Sequence, residues 1–181
     1  MKFNGTIVTA KNGTKIIARS ATVDEAAELL DYLNKVSAET DFLLRGADDE
    51  KLTLEDEKQF IQSGLESPTK YNICVFCDGE IAGTCSLLWS DKKKVAHRGN
   101  IGIALLKKYW NLGIGTELFK IMIELGKKNN LKQLELSYVD SNVRGKALYE
   151  KMGFREVGRI PNAFIMNDKT YRDDVLMVKE L

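Results

Sequence analysis

The sequence predicts a single domain, residues 1–181, built around a mixed α/β sheet. Its length of 181 residues is a little more than one typical domain. Hydrophobic residues make up 44% and charged residues 29%, which is ordinary for a globular protein. Some segments alternate with the period of a strand and others repeat with the period of a helix. In chain order they predict the pattern β-α-α-β-β-β-α-β-α-β-β.

The N-terminal part of this pattern has one strand and two helices. Residues 14–19 form a short β-type run, and Thr22 with Glu25 makes the S/T-x-x-E box that opens a helix. Residues 41–51 are polar and predict a loop, after which Thr53 can begin a second helix. The apolar positions at helical spacing are Ala26, Leu29, Leu30, Leu33 and Val36 in the first helix and Phe60, Ile61 and Leu65 in the second.

The central strands are marked by a turn signal. The dipeptide Asp78-Gly79 separates β-rich runs over residues 71–77 and 80–89, which predicts a hairpin. A third strand is predicted over residues 95–106. Because strands are bounded by polar segments, we expect residues 90–94 to form a turn.

The C-terminal part predicts two helices and three strands. A helix over residues 113–129 precedes a strand over 133–138. A shorter helix over 142–152 ends at Gly153, a residue type favoured just beyond a helix end. The remaining residues offer two strands around 167–169.

Charge and hydrophobicity exclude several classes of protein. Lys and Arg number 27 against 26 Asp and Glu, a net charge of +1, so the whole chain has no electrostatic preference for nucleic acid or an anionic membrane. No stretch approaches the roughly 18–20 apolar residues of a membrane span. The first residues lack the apolar core of a signal peptide, so we expect a cytoplasmic protein.

The three cysteines predict no disulfide framework and no metal. Cys74 and Cys77 have the spacing of half a metal or redox motif, but they fall in a predicted strand. Positions three apart on a strand point to opposite faces, so the two thiols would not converge. His97 is the one histidine. Structural thiols are therefore favoured over metal or redox chemistry.

The strongest local signal is the segment 110–116, W-N-L-G-I-G-T, between a predicted strand and a predicted helix. Free N–H groups at a helix N-terminus attract anions, and glycines let phosphate oxygens approach. A Walker A loop would need Lys-Ser/Thr here, and Thr116-Glu117 follows instead. A dinucleotide loop would need a third glycine at 118, where Leu118 stands, although Glu135 lies at the usual distance. Two glycines easing a tight turn are the simplest alternative.

A second segment, residues 142–154, places Asn142 and Tyr149 seven apart on one helix face and ends in Gly153-Phe154. Together the two segments resemble the cofactor half of the GNAT superfamily of N-acetyltransferases. That family has a strand, Q/R-x-x-G-x-G/A, a helix, a strand and an N-x(6)-Y helix ending in G-F. The resemblance covers residues 101–154. It implies a central, mostly antiparallel sheet of about seven strands flanked by about four helices.

The resemblance also implies acetyl-CoA as co-substrate and a set of site residues. The strand residues would pair with the pantetheine arm, and the Leu105 N–H would polarise the thioester carbonyl. Asn142 would contact the pantetheine and Tyr149 would be the general acid. Trp110 departs from the family's Gln or Arg. The residues expected to bind cofactor are Ile103, Ala104, Leu105, Leu112, Gly113, Ile114, Gly115, Thr116 and Asn142.

The base that removes the amine proton is harder to assign. Many family members place a Glu on this strand, where the chain has Gly99. If the strand were regular from Val95, His97 would share its face, and an imidazole titrates near pH 6.5. Glu39, after the first helix, is the other candidate.

The lysines at 92–94 are expected to be solvated; contact with the cofactor 3′-phosphate or steering of an acidic acceptor are the alternatives. Lys146 and Lys151 could also approach phosphates.

The function implied is acetyl transfer to a primary amine of a small molecule or a protein N-terminus. A non-catalytic acyl-CoA sensor on the same fold and a nucleotide- or dinucleotide-dependent enzyme are the alternatives. The tail, residues 158–164 and 171–173, is loosely similar to ribosomal-protein N-terminal and amino-acid acetyltransferases. We expect neither a nucleic-acid nor a membrane partner; a homodimer is an open option.

Overall fold

A computed structural model describes residues 1–46 and 52–181. Within these ranges the chain forms one sheet and four α-helices. The strands are β1 (Thr6–Thr9), β2 (Lys15–Arg19), β3 (Lys70–Cys77), β4 (Glu80–Trp89), β5 (Arg98–Leu105), β6 (Gln133–Val139), β7 (Arg155–Ile165) and β8 (Tyr171–Glu180). The helices are α1 (Ala26–Glu39), α2 (Leu54–Glu66), α3 (Ile114–Lys128) and α4 (Val143–Lys151).

The sheet has the order β1-β2-β3-β4-β5-β6-β8-β7. Every neighbouring pair is antiparallel except β5 and β6, which run parallel. The mostly antiparallel mixed sheet and the four helices are therefore confirmed. The part of the chain that the structure describes holds eight strands rather than about seven, because β1 was not expected.

The parallel pair is the feature that positions the site. β5 and β6 pair only from Arg98 with Gln133 to Asn100 with Glu135. Beyond Asn100 the two strands diverge, although each continues to pair with its other neighbour. The sheet therefore has an internal gap alongside the second half of β5.

The core lies where α3 packs on the sheet. Leu118, Phe119 and Met122 of α3 are fully buried, as are Leu87 of β4 and Leu134 of β6. This apolar face of α3 anchors the helix, and so fixes its first turn beside the gap. Tyr32 of α1 adds a polar tie between helix and sheet, because its hydroxyl donates to the Ala104 carbonyl at 3.0 Å.

Three local expectations need comment. The strand predicted from residue 95 begins at Arg98, and residues 93–97 form turns, so the assumed regular strand from Val95 was wrong. The capping box predicted at Thr22 and Glu25 is present, at the start of a 3₁₀ turn, Val23–Glu25, that leads into α1. Thr53 begins α2 as predicted, and it too forms a capping box, with Asp56 as the acidic member. Of the loop predicted over 41–51, residues 41–45 are turns and bends, residue 46 is irregular, and 47–51 lie outside the described residues.

The helices and the cysteines also bear on the predicted location. No helix within the ranges 1–46 and 52–181 is both long and apolar enough to cross a membrane. Cys74, Cys77 and Cys85 are buried and free, and burial raises the pKa of the Cys74 thiol to about 12. The homodimer stays a prediction.

Candidate active site

A cavity of about 810 Å³ occupies the gap between β5 and β6 and extends to the N-termini of α3 and α4. Its walls include the second half of β5, the segment 110–116, and α4. The sequence-predicted strand, glycine turn and Asn-Tyr helix are thus brought together around one space. Of the nine residues expected to bind cofactor, all but Leu112 line the cavity.

The edge of β5 that faces the gap offers free backbone groups. On the other edge, the Leu106 N–H donates to the Ala82 carbonyl of β4 at 3.0 Å. Antiparallel ladders alternate, so the N–H groups of Leu105 and Ile103 point the opposite way, into the gap. An extended ligand with amide groups could therefore pair with β5 as an added strand.

The glycine turn provides a second set of free donors. Gly113 has φ +84°, the left-handed region that favours glycine, and it precedes the first residue of α3. The N–H groups of Ile114, Gly115 and Thr116 therefore have no partner within the helix. With the helix dipole they make a turn that is suited to an anion, and we refer to it as the anion-binding turn.

The second glycine, Gly115, has a packing role that was not expected from the sequence. A Cβ at Gly115 would lie 2.8 Å from Leu148 Cδ2, so this glycine allows α4 to pack closely on α3. The close approach of the two helices places the first turn of α3 beside the start of α4. Phosphate access at Gly115 stays a prediction.

Cations from separate elements surround this turn. The Arg144 guanidinium stacks 4.7 Å from the Trp110 ring centroid, and its Nη1 donates to Asn111 Oδ1 at 2.5 Å. Lys151 Nζ donates to Thr116 Oγ1 at 3.3 Å. Lys11, from the β1–β2 turn, also lines the cavity. Among the residues that the structure describes, no Asp, Glu or His lines it, so the cavity is electropositive.

Asn142 and Tyr149 both lie on the cavity wall, Asn142 at the start of α4 and Tyr149 near its end. Asn142 is the N-cap of α4, and its Oδ1 accepts the Gly145 N–H at 2.9 Å. This hydrogen bond fixes the side chain and leaves the amide N–H donors for other partners. A Cβ at Gly145 would lie 2.7 Å from Asn142 Nδ2, so the glycine makes room for this cap.

Tyr149 has the surroundings of a proton donor rather than a proton acceptor. It is 8% exposed and packs against Phe119 and Tyr138, with ring centroids 5.6 and 5.5 Å away. Burial disfavours the phenolate and raises the pKa of Tyr149 to about 12. The hydroxyl consequently carries its proton throughout the neutral range.

Trp110 shows what replaces the family's usual Gln or Arg. Its indole Nε1–H donates to the Leu105 carbonyl at 2.8 Å, and its ring supports the Arg144 guanidinium. The side chain therefore stabilises the connection between β5 and the glycine turn. This contact joins residues five apart across a 3₁₀ turn, Lys107–Tyr109.

Neither candidate base lies in the cavity. His97 is exposed in the turn before β5, and the eight residues of that strand separate it from the Leu105 end by roughly 26 Å. Glu39 Oε2 accepts the Lys107 N–H at 2.6 Å, which engages its carboxylate outside the cavity lining. Gly99, at the family's usual Glu position, is buried, and a Cβ there would lie 2.7 Å from Leu131 Cδ1.

Of the other lysines considered from the sequence, one lines the cavity and the rest do not. Lys151 lines the cavity, whereas Lys146 pairs with Glu150 at 3.8 Å and does not. The lysines at 92–94 are exposed in the same turn region as His97 and are not part of the lining. Residues missed at the sequence level are Lys11 and Arg144, together with the apolar wall formed by Phe42, Leu43 and Leu44.

That apolar wall belongs to the segment after α1. Leu44 is 91% exposed although it contributes to the cavity, and Phe42 is also exposed. Asp41 Oδ1 accepts a hydrogen bond from Asn167 Nδ2 at 2.6 Å, which joins this segment to the β7–β8 turn. The cavity thus has an apolar border as well as an electropositive one.

Comparisons with known proteins decide the family. The model of the Acetyltransferase (GNAT) family matches residues 33–154. The chain belongs to the GNAT acetyltransferase family. It is an acetyl-CoA-dependent acetyltransferase, as the glycine turn and the Asn-Tyr helix predicted, and its cavity suits that co-substrate. The anion-binding turn has free N–H donors and is surrounded by cations, which suits the phosphates of the co-substrate. The open edge of β5 suits the amide-containing pantetheine arm.

Three relatives show the range of similarity. A GNAT acetyltransferase structure from Streptococcus pneumoniae is 31% identical, with a TM-score of 0.85, covering 92% of this chain and 99% of that one. A candidate [ribosomal protein bS18]-alanine N-acetyltransferase of Bacillus subtilis (strain 168) is 28% identical over 60% of this chain and 69% of its own length. The fold is shared with yncA from Salmonella typhimurium, solved with acetyl-CoA, at 12% identity and a TM-score of 0.77 over 92% and 94% of the chains.

Proposed function

We propose that this GNAT enzyme transfers the acetyl group of acetyl-CoA to the α-amino group of a protein N-terminus, by direct attack of the amine on the thioester. The observation that carries the proposal is that one cavity combines the free edge of β5, the anion-binding turn and the protonated Tyr149 hydroxyl. Acetyl-CoA has its thioester at one end and its phosphates at the other, and acyl transfer requires groups of these kinds at both ends.

The chain's own residues would hold the co-substrate along the gap. Ile103 and Leu105 would pair with the amides of the pantetheine arm, with Ala104 between them on the same stretch of β5, and Asn142 would donate to the arm from the opposite wall. The N–H groups of residues 112–116 would bind the pyrophosphate. This seating is supported by the unpaired edge of β5 and by the helix N-terminus with its cations.

Acetyl-CoA supplies an activated acyl group as a thioester. In our proposal the Leu105 N–H stabilises the negative charge that develops on the carbonyl oxygen. As the C–S bond breaks, Tyr149 donates its proton to the departing sulfur, and its raised pKa ensures that the proton is present. The proton that the attacking nitrogen releases as the amide forms restores the Tyr149 hydroxyl through solvent. The buried aromatic surroundings keep the hydroxyl in one place.

The choice of an α-amine follows from the lack of a base. Among the described residues, no carboxylate or imidazole lines the cavity, so the acceptor is best served by an amine that is already neutral. An α-amino group has a pKa of about 7.7–8.0 and is roughly one-third neutral at pH 7.5, whereas an alkyl amine of pKa about 10.4 is only about 0.1% neutral. We propose no proton-accepting role for His97 or Glu39.

A protein acceptor is supported by two further observations. The Bacillus subtilis relative is described as acting on an alanine of a ribosomal protein. The apolar wall of Phe42, Leu43 and Leu44 is partly exposed beside the cavity and would suit the side chains that follow a peptide N-terminus. The free buried cysteines fit a reducing compartment, so we place the activity in the cytoplasm.

The test is an acetylation assay over pH 6–10 with matched peptides. One peptide has a free α-amine and no lysine; its partner has a blocked N-terminus and one lysine. We expect acetylation of the first at least about tenfold faster at pH 7.5, measured by thiol release and mass spectrometry. The rising limb of kcat/KM should follow the pKa of the acceptor amine.

Two results would count against the proposal. Preference for the lysine peptide would refute the α-amine acceptor. A rising limb that keeps the same midpoint for acceptors of different amine pKa would reveal a base on the enzyme.

A further inference from the structure

We propose that Lys11, in the turn between β1 and β2, is a phosphate-binding residue for the co-substrate. The inference rests on the proposed seating of acetyl-CoA in the cavity. It goes beyond that seating because Lys11 comes from the N-terminal hairpin, well outside the segment 101–154 whose motifs resemble the family. The N-terminal hairpin would thus contribute directly to cofactor affinity.

The backbone of Lys11 is held against the glycine turn. Its N–H donates to the Leu112 carbonyl at 2.8 Å, a hydrogen bond between residues 101 positions apart in sequence. The hairpin turn is itself ordered, because the Ala10 N–H donates to the Thr14 carbonyl at 2.8 Å and the Thr14 N–H donates to Asn12 Oδ1 at 3.1 Å. Lys11 is therefore fixed at its Cα beside the start of α3.

The side chain of Lys11 crosses the glycine turn. A Cβ on Gly113 would lie 3.2 Å from Lys11 Cγ and 3.5 Å from Cε, so the aliphatic stem packs over the Gly113 backbone. Lys11 also lines the cavity. Its stem therefore lies against the residue that precedes the free N–H groups of α3.

The ammonium group has no competing carboxylate. Within residues 1–46 and 52–181, no ion pair involves Lys11, whereas Lys108 pairs with Glu80, Lys120 with Glu117 at 2.8 Å and Lys146 with Glu150 at 3.8 Å. A lysine that packs its stem on the turn and keeps its charge unpaired is suited to an anionic ligand.

Lys11 also completes the charge around the turn. Arg144 is engaged with Trp110 and Asn111, and Lys151 contacts Thr116. These two cations come from α4, on one side of the turn. Lys11 supplies the third cation from the β1–β2 side. Acetyl-CoA carries a pyrophosphate and a 3′-phosphate, and either can accept a charge-assisted hydrogen bond from an ammonium.

The test compares Lys11→Met with Lys15→Met by titration calorimetry. Lys15 is an exposed lysine of the same hairpin that does not line the cavity. Met keeps much of the stem and leaves the backbone hydrogen bond to Leu112 intact. We expect the Kd for CoA to rise about tenfold in Lys11→Met, equivalent to about 1.4 kcal/mol, and to stay within about twofold of wild type in Lys15→Met.

Ligand truncation identifies the phosphate. If the Kd of Lys11→Met for 3′-dephospho-CoA is still about tenfold that of wild type, Lys11 binds the pyrophosphate. If the two proteins bind 3′-dephospho-CoA equally, Lys11 binds the 3′-phosphate. Both results support the proposal. Pantetheine, which has no phosphate, should bind wild type and Lys11→Met equally. In turnover, KM for acetyl-CoA should rise while kcat is unchanged, because Lys11 is remote from the thioester end.

Equal CoA affinities for Lys11→Met and Lys15→Met would overturn the role of Lys11 and leave the proposed function standing. A folded wild-type protein that binds no CoA would overturn both. Melting temperatures of the variants without ligand serve as the control for a folding defect. Lys11→Arg, which keeps the charge, should recover most of the affinity for CoA. The difference in CoA affinity between wild type and Lys11→Met should also become smaller at high salt, because salt screens an exposed charge.

Discussion

The indole Nε1–H of Trp110 donates to the carbonyl oxygen of Leu105 at 2.8 Å. This hydrogen bond joins the last residue of β5 to the start of the glycine turn, and so connects the part of the site where we propose that the thioester lies to the part where we propose that phosphate binds. The same indole stacks on Arg144. One aromatic side chain thus positions both ends of the cavity where the family usually has Gln or Arg.

Trp110→Phe should weaken this connection without removing the aromatic surface. The Leu105 carbonyl loses its donor, which we expect to cost about 0.5–1.5 kcal/mol of unfolding free energy and to raise KM for acetyl-CoA several-fold. Urea denaturation and steady-state kinetics measure the two effects. Trp110→Gln, which restores a donor of the family type, should retain more affinity than Trp110→Phe; the reverse order would argue that stacking, and not the hydrogen bond, matters.

Tyr149→Phe removes the hydroxyl and leaves the aromatic packing. If Tyr149 is the general acid, kcat should fall about 10²-fold or more while the Kd for CoA changes little. Tyr138→Phe is the matched control, because Tyr138 is a buried tyrosine whose ring packs 5.5 Å from that of Tyr149. Unchanged turnover in Tyr149→Phe, or equal losses in both variants, would remove Tyr149 from the proposed chemistry.

Gly113→Ala separates backbone strain from side-chain crowding. Gly113 and Gly79 share a φ of +84°, but a Cβ at Gly79 meets nothing within 4 Å, whereas one at Gly113 lies 3.2 Å from Lys11 Cγ. Both alanine variants should lose about 1–2 kcal/mol of stability, since a left-handed conformation is unfavourable for alanine. Only Gly113→Ala should also weaken CoA binding, as calorimetry would show. Equal CoA affinity in the two variants would mean that the turn tolerates displacement of Lys11.

Glu25→Gln tests a pH-dependent contribution to stability. Hydrogen bonds from the Arg19 guanidinium, at 2.8 Å and 2.5 Å, lower the pKa of Glu25 from 4.5 to about 2. Because the folded-state pKa is depressed, the stabilisation is complete above about pH 4.5 and is lost as the pH falls toward 2. The pair is partly exposed, so we expect about 1 kcal/mol at pH 7.

Urea midpoints of wild type and Glu25→Gln at pH 7, 5 and 3.5 measure this contribution. The difference in urea midpoint between wild type and Glu25→Gln should be constant between pH 7 and 5 and should become smaller at pH 3.5. Asp24→Asn, an exposed neighbouring carboxylate, should leave a near-constant difference from wild type across the three pH values. A Glu25→Gln gap that is independent of pH would show that the ion pair does not titrate in this window.

The sequence predicted those parts of the structure that depend on neighbouring residues. The hairpin at Asp78-Gly79, the helix that follows Gly113 and the Asn142–Tyr149 helix face all follow from local signals. The strand β1 was missed because it has only four, mostly exposed residues, although Asn12-Gly13 after a β-type run is itself a hairpin signal.

Long-range relationships could not be predicted in the same way. The contact of Lys11 with the glycine turn depends on how a hairpin docks against a loop about 100 residues away, and no local pattern encodes it. The position of His97 depended on where β5 begins, and residues 93–97 form turns instead of extending the strand. Gly115 was expected to admit phosphate, but its contact with Leu148 arises from helix packing that only the folded chain shows.

The short parallel pairing between β5 and β6 has a mechanical consequence. Three residue pairs, from Arg98–Gln133 to Asn100–Glu135, are the whole ladder between the two parts of the sheet. With the pantetheine arm seated as proposed, the substrate lies as a temporary ninth strand between them. Every turnover would therefore dissolve and rebuild a section of the β-sheet, and the amides of Ile103 and Leu105 would alternate between solvent and a ladder partner as product leaves and substrate arrives.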